Sequence, residues 1–250
     1  MKLKAFMLGV LLLAGGLSCG VRSAKTVDQL VHDPELLFQD LRAYNGAVNA
    51  LEGKALVVYR KGERVTSLKA VIAVDKGQTR YRLELFDYVF NKHLVSVVRN
   101  GDEVHATLHF KKESYDASYE EFQLQEATGI AIPKEIILKS MIGEIYVQDG
   151  EIRVESGESA NSLLLEYSDA REGLSSETVR FGEGRVPVGA TFEQEGERYV
   201  VSFSKFKVTG GCRFPTKITI QGGDRSLEVN YTELRINPVL GDQAFNISGG

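Results

Sequence analysis

Two histidines, His105 and His109, are spaced four residues apart, which on a helix is the spacing of a chelating pair. They lie, however, in a run in which Val104, Ala106 and Leu108 alternate with polar residues. On a strand, residues four apart are separated by roughly 13 Å between their Cα atoms, which is too far for one ion to bridge. The spacing therefore predicts two solvent-facing strand histidines and no metal site.

Other residue types that serve catalysis lack the sequence context that catalysis needs. Ser18 and Ser140 have no nucleophile-elbow motif around them. Gly182-Glu183-Gly184 lacks the third glycine and the strand-to-helix setting of a dinucleotide loop. Acidic pairs such as Glu120-Glu121 alternate faces or lie in turns, which is typical of solvated surface. The sequence therefore predicts no enzyme, no catalytic residues and no cofactor.

The thiol of Cys19 is placed for a different chemistry, acylation. An apolar run of thirteen residues, from Ala5 to Leu17, follows Lys2 and Lys4 and ends just before it. This length fits the apolar region of a signal peptide and is below the roughly 20 residues that span a bilayer. The run therefore favours secretion.

The stretch Leu17-Ser18-Cys19-Gly20 resembles the lipobox of bacterial lipoproteins. That resemblance implies that Cys19 is acylated, as by palmitate, and that cleavage just before it makes Cys19 the mature N-terminus. A buried helix, or an ordinary signal peptide with an incidental cysteine, is the alternative. Residues 1–18 are thus predicted to be a signal peptide, and residues 19–32 a lipidated N-terminus and tether.

The composition of the mature chain argues against one class of partner. Without residues 1–18 the chain has 28 basic and 34 acidic side chains, a net charge of −6. Nucleic-acid binding normally requires a concentrated basic surface, so no nucleic-acid partner is expected. If Cys19 carries lipid, Cys212 has no intrachain disulfide partner and is predicted to be a lone, half-buried thiol.

Two helices are indicated by their start and stop signals. The first begins at Asp33-Pro34, because a carboxylate can cap a helix and proline is tolerated at its first position. It ends near Asn45-Gly46. The second begins at Pro133 and ends at Gly143. The apolar face of the first helix carries Leu37, Leu41, Tyr44 and Val48.

Almost all the rest of the chain alternates apolar and polar residues, the pattern of strands with one buried face. Clear examples are Tyr81-Arg82-Leu83-Glu84-Leu85 and the run that contains Tyr199, Val201 and Phe203. Turns such as Asn100-Gly101 separate the runs, so consecutive strands should pair as antiparallel hairpins. About ten or eleven strands are expected, and strand twist prevents a sheet of this size from staying flat. The sequence predicts a mainly β fold: a single curved antiparallel sheet, an incomplete β-barrel, with a helical lid.

The inward faces of these strands are predicted to line an apolar ligand cavity. Small inward residues such as Ala70, Ala106 and Ala190 favour a hollow, whereas tightly packed Phe, Tyr and Leu side chains would fill it. The predicted cavity residues are Leu68, Ala70, Ile72, Tyr81, Leu83, Leu85, Ala106, Leu108, Phe192 and Val201.

The order of these features resembles the LolA/LolB superfamily of lipoprotein-sorting proteins. The resemblance covers most of residues 33–247, and residues 33–250 are predicted to form one LolA/LolB-like half-barrel domain. It is carried, after the lipidated cysteine and the first helix, by Leu51-Glu52-Gly53-Lys54-Ala55, a meander, the helix from Ile132-Pro133 to Gly143, Phe214-Pro215-Thr216-Lys217-Ile218, and the ending Leu227–Phe245 with Asn237-Pro238.

This resemblance implies a periplasm-facing protein that binds the acyl chains of lipoproteins and assists their localisation to the outer membrane. An anchored chain matches the receptor of the superfamily, which accepts lipoproteins from a soluble carrier protein. Gly20 favours the outer membrane, because it is not the aspartate that retains lipoproteins at the inner membrane in some bacteria. A monomer bound to the membrane by its N-terminal lipid is expected. The alternative is a structural or envelope-assembly lipoprotein of the same fold without a ligand cavity.

The receptor resemblance also implies an exposed apolar residue in an early hairpin that contacts the membrane. The candidates are Tyr88, Val89 and Phe90, which lie between Leu85 and Leu94. The other interpretation is that these residues continue a strand into the core, since Val89 keeps the phase of the preceding run.

Overall fold

A computed structural model describes residues 33–159, 161–168, 174–194 and 196–246. The predicted signal peptide, Cys19 and the tether lie outside the described residues. None of the helices in the described part of the chain is long and apolar enough to cross a bilayer.

The first helix, α1 (Pro34–Gly46), begins and ends where the sequence predicts. The backbone N–H of Glu35 donates to Asp33 Oδ1 at 3.2 Å, which caps the helix, and Pro34 occupies its first position. Leu37 and Leu41 are buried against the sheet. Val48 lies beyond the helix end but joins the same core.

After α1, the described residues form thirteen strands, all antiparallel to their neighbours in one sheet. They are β1 (Ala50–Lys61), β2 (Arg64–Asp75), β3 (Arg80–Asp87), β4 (His93–Asn100), β5 (Glu103–Leu108), β6 (Glu113–Ser118), β7 (Ile152–Ser156), β8 (Ser162–Tyr167), β9 (Leu174–Phe181), β10 (Pro187–Gln194), β11 (Glu197–Thr209), β12 (Cys212–Gly222) and β13 (Arg225–Ile236). The count exceeds the expected ten or eleven because β6 and β7 are short and their apolar alternation is weak.

The sheet order places β6 and β7 at its two edges and β1 beside β13 in the middle. In the described structure β6 and β7 do not pair, so the curved sheet is not closed into a barrel. The chain passes from one edge to the other through residues 119–151, which we call the lid. The lid carries two short helices, α2 (Leu124–Thr128) and α3 (Lys134–Met141).

Alternation along the strands puts one face of the sheet against the lid and α1. In β1, for example, Ala55, Val57 and Tyr59 are buried while the residues between them are not. These inward residues form one continuous core with lid residues such as Ile137 and Met141.

The predicted fold class and the predicted helix from Pro133 to Gly143 are confirmed. The helix α3 ends at Met141, and Gly143 follows in a turn of positive φ. The sequence did not indicate α2, because five residues are too few for a helical period.

Candidate ligand site beneath the lid

All ten predicted cavity residues lie on the inner face of the sheet, buried in the common core. The small residues that favoured a hollow, Ala70, Ala106 and Ala190, are packed and fully covered. Mainly apolar openings lie under the lid at both ends of strands β2 and β3. A more polar opening of about 590 Å³ lies between the lid and Glu197, Tyr199 and Arg225. The inner face is therefore largely filled by side chains, with cavities at its margins.

The first opening, cavity A, lies where the β2–β3 turn faces α3 and has a volume of about 290 Å³. Its apolar wall comes from Ile72 and Leu83 on the sheet and from Leu138 and Met141 on the lid. Its polar lining includes Tyr81, Arg99 and Tyr119, together with Lys76 and Lys139 at the turn and the helix. This combination of apolar wall and cationic mouth suits an amphiphilic molecule.

The second opening, cavity B, lies at the opposite ends of the same strands and has a volume of about 520 Å³. The sheet contributes Leu68, Leu85 and Leu94, and α2 with the residues just after it contributes Ala127 and Thr128. Exposed Phe110, in the β5–β6 turn, also lines it. Of the predicted cavity residues, therefore, Ile72, Tyr81 and Leu83 line cavity A, and Leu68 and Leu85 line cavity B.

A small internal gap of about 10 Å³ lies between the two cavities. It shares Leu83 and Met141 with cavity A, and Leu85 and Thr128 with cavity B. This volume is at the lower limit for a single water molecule. The three spaces thus form a row under the lid, with Leu83 and Met141 between cavity A and the gap, and Leu85 and Thr128 between the gap and cavity B.

Polar contacts tie the lid to the sheet and to α1. The backbone of Ala131 donates to Tyr59 Oη at 3.2 Å and accepts from Arg225 at 2.7 Å. Tyr231 Oη donates to the carbonyl of Met141 at 2.5 Å, and burial raises the pKa of this tyrosine. The side chain of Asn45, on α1, bonds both the N–H and the carbonyl of Ile145. These anchors hold the lid at Ala131, Met141 and Ile145, and none of these three residues lines cavity B.

The candidate membrane-contacting residues form the tip of the β3–β4 hairpin. Tyr88, Val89 and Phe90 are 48, 74 and 75% exposed. Asp87 Oδ1 accepts from the N–H groups of Val89 and Phe90, which closes the turn and directs these residues away from the core. The alternative interpretation, in which these residues continue the strand into the core, is therefore wrong.

The rim around this tip is both aromatic and cationic. Phe110, 62% exposed, lies in the β5–β6 turn at the same end of the sheet. Lysine ammonium groups lie 5.7–5.9 Å from the aromatic ring centroids: Lys69 from Tyr88, Lys92 from Phe90 and Lys111 from Phe110. Cavity B opens at this rim.

The prediction of a solvent-facing strand histidine is wrong for His109. This residue lies beyond the end of β5, and its ring stacks on His93 with centroids 3.8 Å apart. Both Nε2 atoms lie 2.9 Å from the hydroxyl of buried Ser96. Burial and the neighbouring His109 lower the pKa of His93, so this histidine is neutral at pH 7. His105, by contrast, is partly exposed on a strand and pairs with Asp116 at 2.6 Å.

Two other reactive groups lie apart from both cavities. The thiol of Cys212 is half-buried at the start of β12 and contacts the carbonyl of Ala47 at 3.3 Å. Glu177 is buried on the inner face of β9, where Tyr167 Oη donates to it at 2.8 Å. In the described part of the chain, no cluster of three His, Cys, Asp or Glu residues is arranged to hold a metal ion.

Sequence reasoning missed both Arg99 and Glu177, although the alternation carried a signal for each. Arg99 is in phase with buried Val95 and Val97, and Glu177 with buried Val179. A charged residue in phase with an apolar face is the pattern that would have found them.

No family model matches the chain, and no curated protein matches its sequence. The fold is nevertheless shared with solved structures. A DUF1329 family protein from Desulfovibrio piger aligns with a TM-score of 0.61 at 12% identity, covering 86% of this chain and 98% of that one. A proposed outer membrane lipoprotein-sorting protein domain from Vibrio parahaemolyticus gives 0.59 at 11% identity, with 84% and 94% covered.

A LolA superfamily protein from Nitrosomonas europaea aligns with a TM-score of 0.54 at 11% identity, covering 84% of this chain and 97% of that one. At such low identity the likeness concerns the fold alone. The open thirteen-stranded sheet, the helical lid and these alignments together show that the chain has a divergent LolA/LolB-like fold.

Proposed function

We propose that this protein is a lipid-anchored component of the bacterial envelope that binds acyl chains of lipoproteins under its lid and assists their localisation to the outer membrane. One observation supports this proposal most: a row of spaces, two of them open, lies between an apolar sheet face and the lid. Movement of the lid by a few ångströms would join them into one apolar channel.

The cavity volume is consistent with useful affinity for an acyl chain. Cavity A alone, at about 290 Å³, holds roughly ten groups of the size of a water molecule or a methylene, at about 30 Å³ each. Ten methylenes at roughly 0.8 kcal/mol each give the roughly 8 kcal/mol of a micromolar complex. Lid opening that joins both cavities would accommodate a longer chain.

The proposed anchor and the exposed rim indicate where a bound acyl chain would be released. Acylation of Cys19 would hold the body near one membrane, within the reach of the tether of residues 19–32, and Gly20 favours the outer membrane. Exposed Phe110 lines cavity B and lies at the same end of the sheet as the apolar tip of Tyr88, Val89 and Phe90. A monomer that receives cargo from a soluble carrier protein would release it through this opening into the adjacent bilayer, which binds the acyl chain more favourably.

An acyl-binding protein should bind a lipid probe without its own anchor. The Cys19→Ser variant, which cannot be acylated, is expected to bind an acylated peptide with micromolar or better affinity, measured by fluorescence anisotropy. The same peptide without its acyl chain is the control and should not bind. If the two peptides behave alike, acyl binding is excluded as the function.

The hairpin tip should mediate contact with the bilayer. Changing Val89 and Phe90 to aspartate is expected to weaken vesicle binding roughly tenfold or more per side chain, because burying each gains about 1.5–3 kcal/mol. Stability should change by less than about 0.5 kcal/mol, since both residues are exposed. Co-sedimentation with anionic vesicles measures the effect. Val208→Asp is the matched control: Val208 is 77% exposed but lies outside the rim, so its loss should leave vesicle binding unchanged.

A structural or envelope-assembly lipoprotein is the second candidate, favoured by the dense packing of the inner face. Ala106, Phe192 and Val201 are fully covered, and the central gap is only about 10 Å³. Depletion in the native host separates the two candidates. Outer-membrane lipoproteins that still reach their destination after depletion would leave only the structural function.

A further inference from the structure

Cavity A has a mouth built from two side chains that face each other across strands. Tyr81 on β3 and Arg99 on β4 are directly opposite in the antiparallel register and project from the same face. Both line cavity A, next to the apolar wall formed by Ile72 and Leu83. A ligand whose chain occupies this cavity therefore has its end beside these two groups.

Arg99 has unused capacity to bind an anion. Its Nε–H donates to the carbonyl of Gly101 at 2.6 Å, and its guanidinium carbon lies 3.4 Å from the ring centroid of Tyr119. Among the described residues, no carboxylate forms an ion pair with it. The remaining N–H donors of the planar guanidinium suit bidentate contact with a carboxylate or a phosphate.

The other cations at this mouth each have a carboxylate partner. Lys76 and Lys139 both pair with buried Glu144. Arg80 pairs with Asp75 and Asp242, and Arg82 pairs with Glu84 at 2.7 Å. The nearby acid Glu135 interacts with the hydroxyl of Tyr119, and burial together with the charge of Glu135 raises the pKa of Tyr81. Among the described residues that line this mouth, Arg99 is therefore the cation without a carboxylate in an ion pair.

Tyr81 supplies an independent indication of a ligand. Its side chain is more than nine-tenths buried, and its Oη has no hydrogen-bond partner in the described structure. A buried hydroxyl without a partner is destabilising, and a ligand oxygen that accepts its hydrogen bond would relieve this cost. Burial raises its pKa, so the hydroxyl keeps its proton and can donate to an oxyanion.

We infer that Arg99 and Tyr81 bind the oxyanion head group of an amphiphile whose chain lies in cavity A, so that the preferred ligand is an anionic lipid. The inference rests on the proposed acyl-binding function and narrows its ligand class. Arg99 would contact two oxygens of a carboxylate or phosphate, and Tyr81 would donate to one of them. The alkyl chain would run between Leu83 and Met141 towards the internal gap.

Two ten-carbon probes with different head groups test this inference on the Cys19→Ser chain. Decanoate is expected to bind roughly 10- to 100-fold more tightly than 1-decanol in isothermal titration calorimetry, the effect of hydrogen bonds to a charged group. Acetate, the head group without the chain, should bind at least a hundredfold more weakly than decanoate. Equal affinity for acetate and decanoate would indicate a small-anion site and overturn the inference.

Variants assign the preference to the two residues. Arg99→Met should remove the preference for decanoate and leave decanol binding unchanged, whereas Arg99→Lys should keep part of it. Tyr81→Phe should weaken decanoate binding roughly tenfold with little effect on decanol. Arg64→Met is the matched control, because Arg64 is exposed at the far end of β2.

The results separate this inference from the function on which it rests. If neither decanoate nor decanol binds, the acyl-binding function itself fails. If both bind equally, or Arg99→Met leaves the preference intact, acyl binding stands and the head-group site is wrong. Thermal unfolding of each variant verifies that it is folded, and Tyr81→Phe provides the result if Arg99→Met does not fold.

Discussion

Replacing Glu177 by glutamine is expected to stabilise the protein increasingly as the pH rises above the ordinary glutamate range. Glu177 is 1% exposed and lies opposite Leu165 and Phe192 in the ladders of β8 and β10. Burial raises its pKa well above the usual value, and the hydrogen bond from Tyr167 offsets this only in part. Its Oε1 has no hydrogen-bond partner in the described structure.

The direction of the effect follows from proton linkage. Below the unfolded-state pKa of glutamate both states carry the proton, so the group adds no pH dependence. Above it the unfolded chain releases the proton while the folded chain keeps it. The free energy of unfolding therefore falls by about 1.4 kcal/mol for each pH unit, until the raised pKa of the folded state is reached.

Urea unfolding at pH 5, 7 and 9 measures this effect as the difference between the wild-type chain and Glu177→Gln. That difference should grow with pH and favour the variant, because glutamine cannot ionise and still accepts from Tyr167. Glu183→Gln, at an exposed position, is the control and should show no such growth. A variant destabilised equally at every pH would mean that Glu177 is ionised and paired in the folded state.

Replacing Met141 by alanine is expected to shift the preference of the protein towards fatty acids with longer alkyl chains. Met141 separates cavity A from the internal gap, so its removal should join the two spaces. Each further buried methylene is worth about 0.8 kcal/mol. Two or three of them should raise the affinity for palmitate relative to octanoate by roughly tenfold to a hundredfold, measured by displacement of a fluorescent fatty acid.

The Met141→Ala substitution is expected to destabilise the protein. Its control must therefore be a substitution with a similar loss of stability. Removing a buried methionine side chain loses roughly 2–5 kcal/mol. Ile136→Ala lies on the same helix and is equally buried, but Ile136 lines none of the three spaces under the lid. An unchanged palmitate-to-octanoate ratio in Met141→Ala, or the same gain in Ile136→Ala, would show that the row of spaces is not the binding path.

The elements of this fold could be predicted because their signals are local. The cap at Asp33-Pro34 and the alternation in runs such as 81–85 depend only on neighbouring residues, and short turns require consecutive strands to pair. Short or polar elements escaped prediction for the same reason: β6, Glu113–Ser118, has almost no apolar alternation, and its pairing with β5 places it in the sheet.

The candidate site was predictable only in part. Alternation identified the inward residues, and all ten are buried. Whether an inward residue lines an opening or packs against a neighbour depends on the lid, whose contacts join residues far apart in the chain. Leu83 meets Met141 at a cavity, whereas Ala106, an equally regular inward residue, is covered completely.

The sequence by itself determined the one-sided strands, the consecutive antiparallel hairpins, the capped first helix and the apolar run before Cys19, because each depends on residues close together in the chain. The tertiary structure alone decided where open space remains, that Arg99 and Tyr81 form its mouth, that His109 stacks on His93, and that Val89 and Phe90 are exposed. These properties depend on sheet curvature and on how the lid crosses between the sheet edges, which bring together side chains that no local pattern relates.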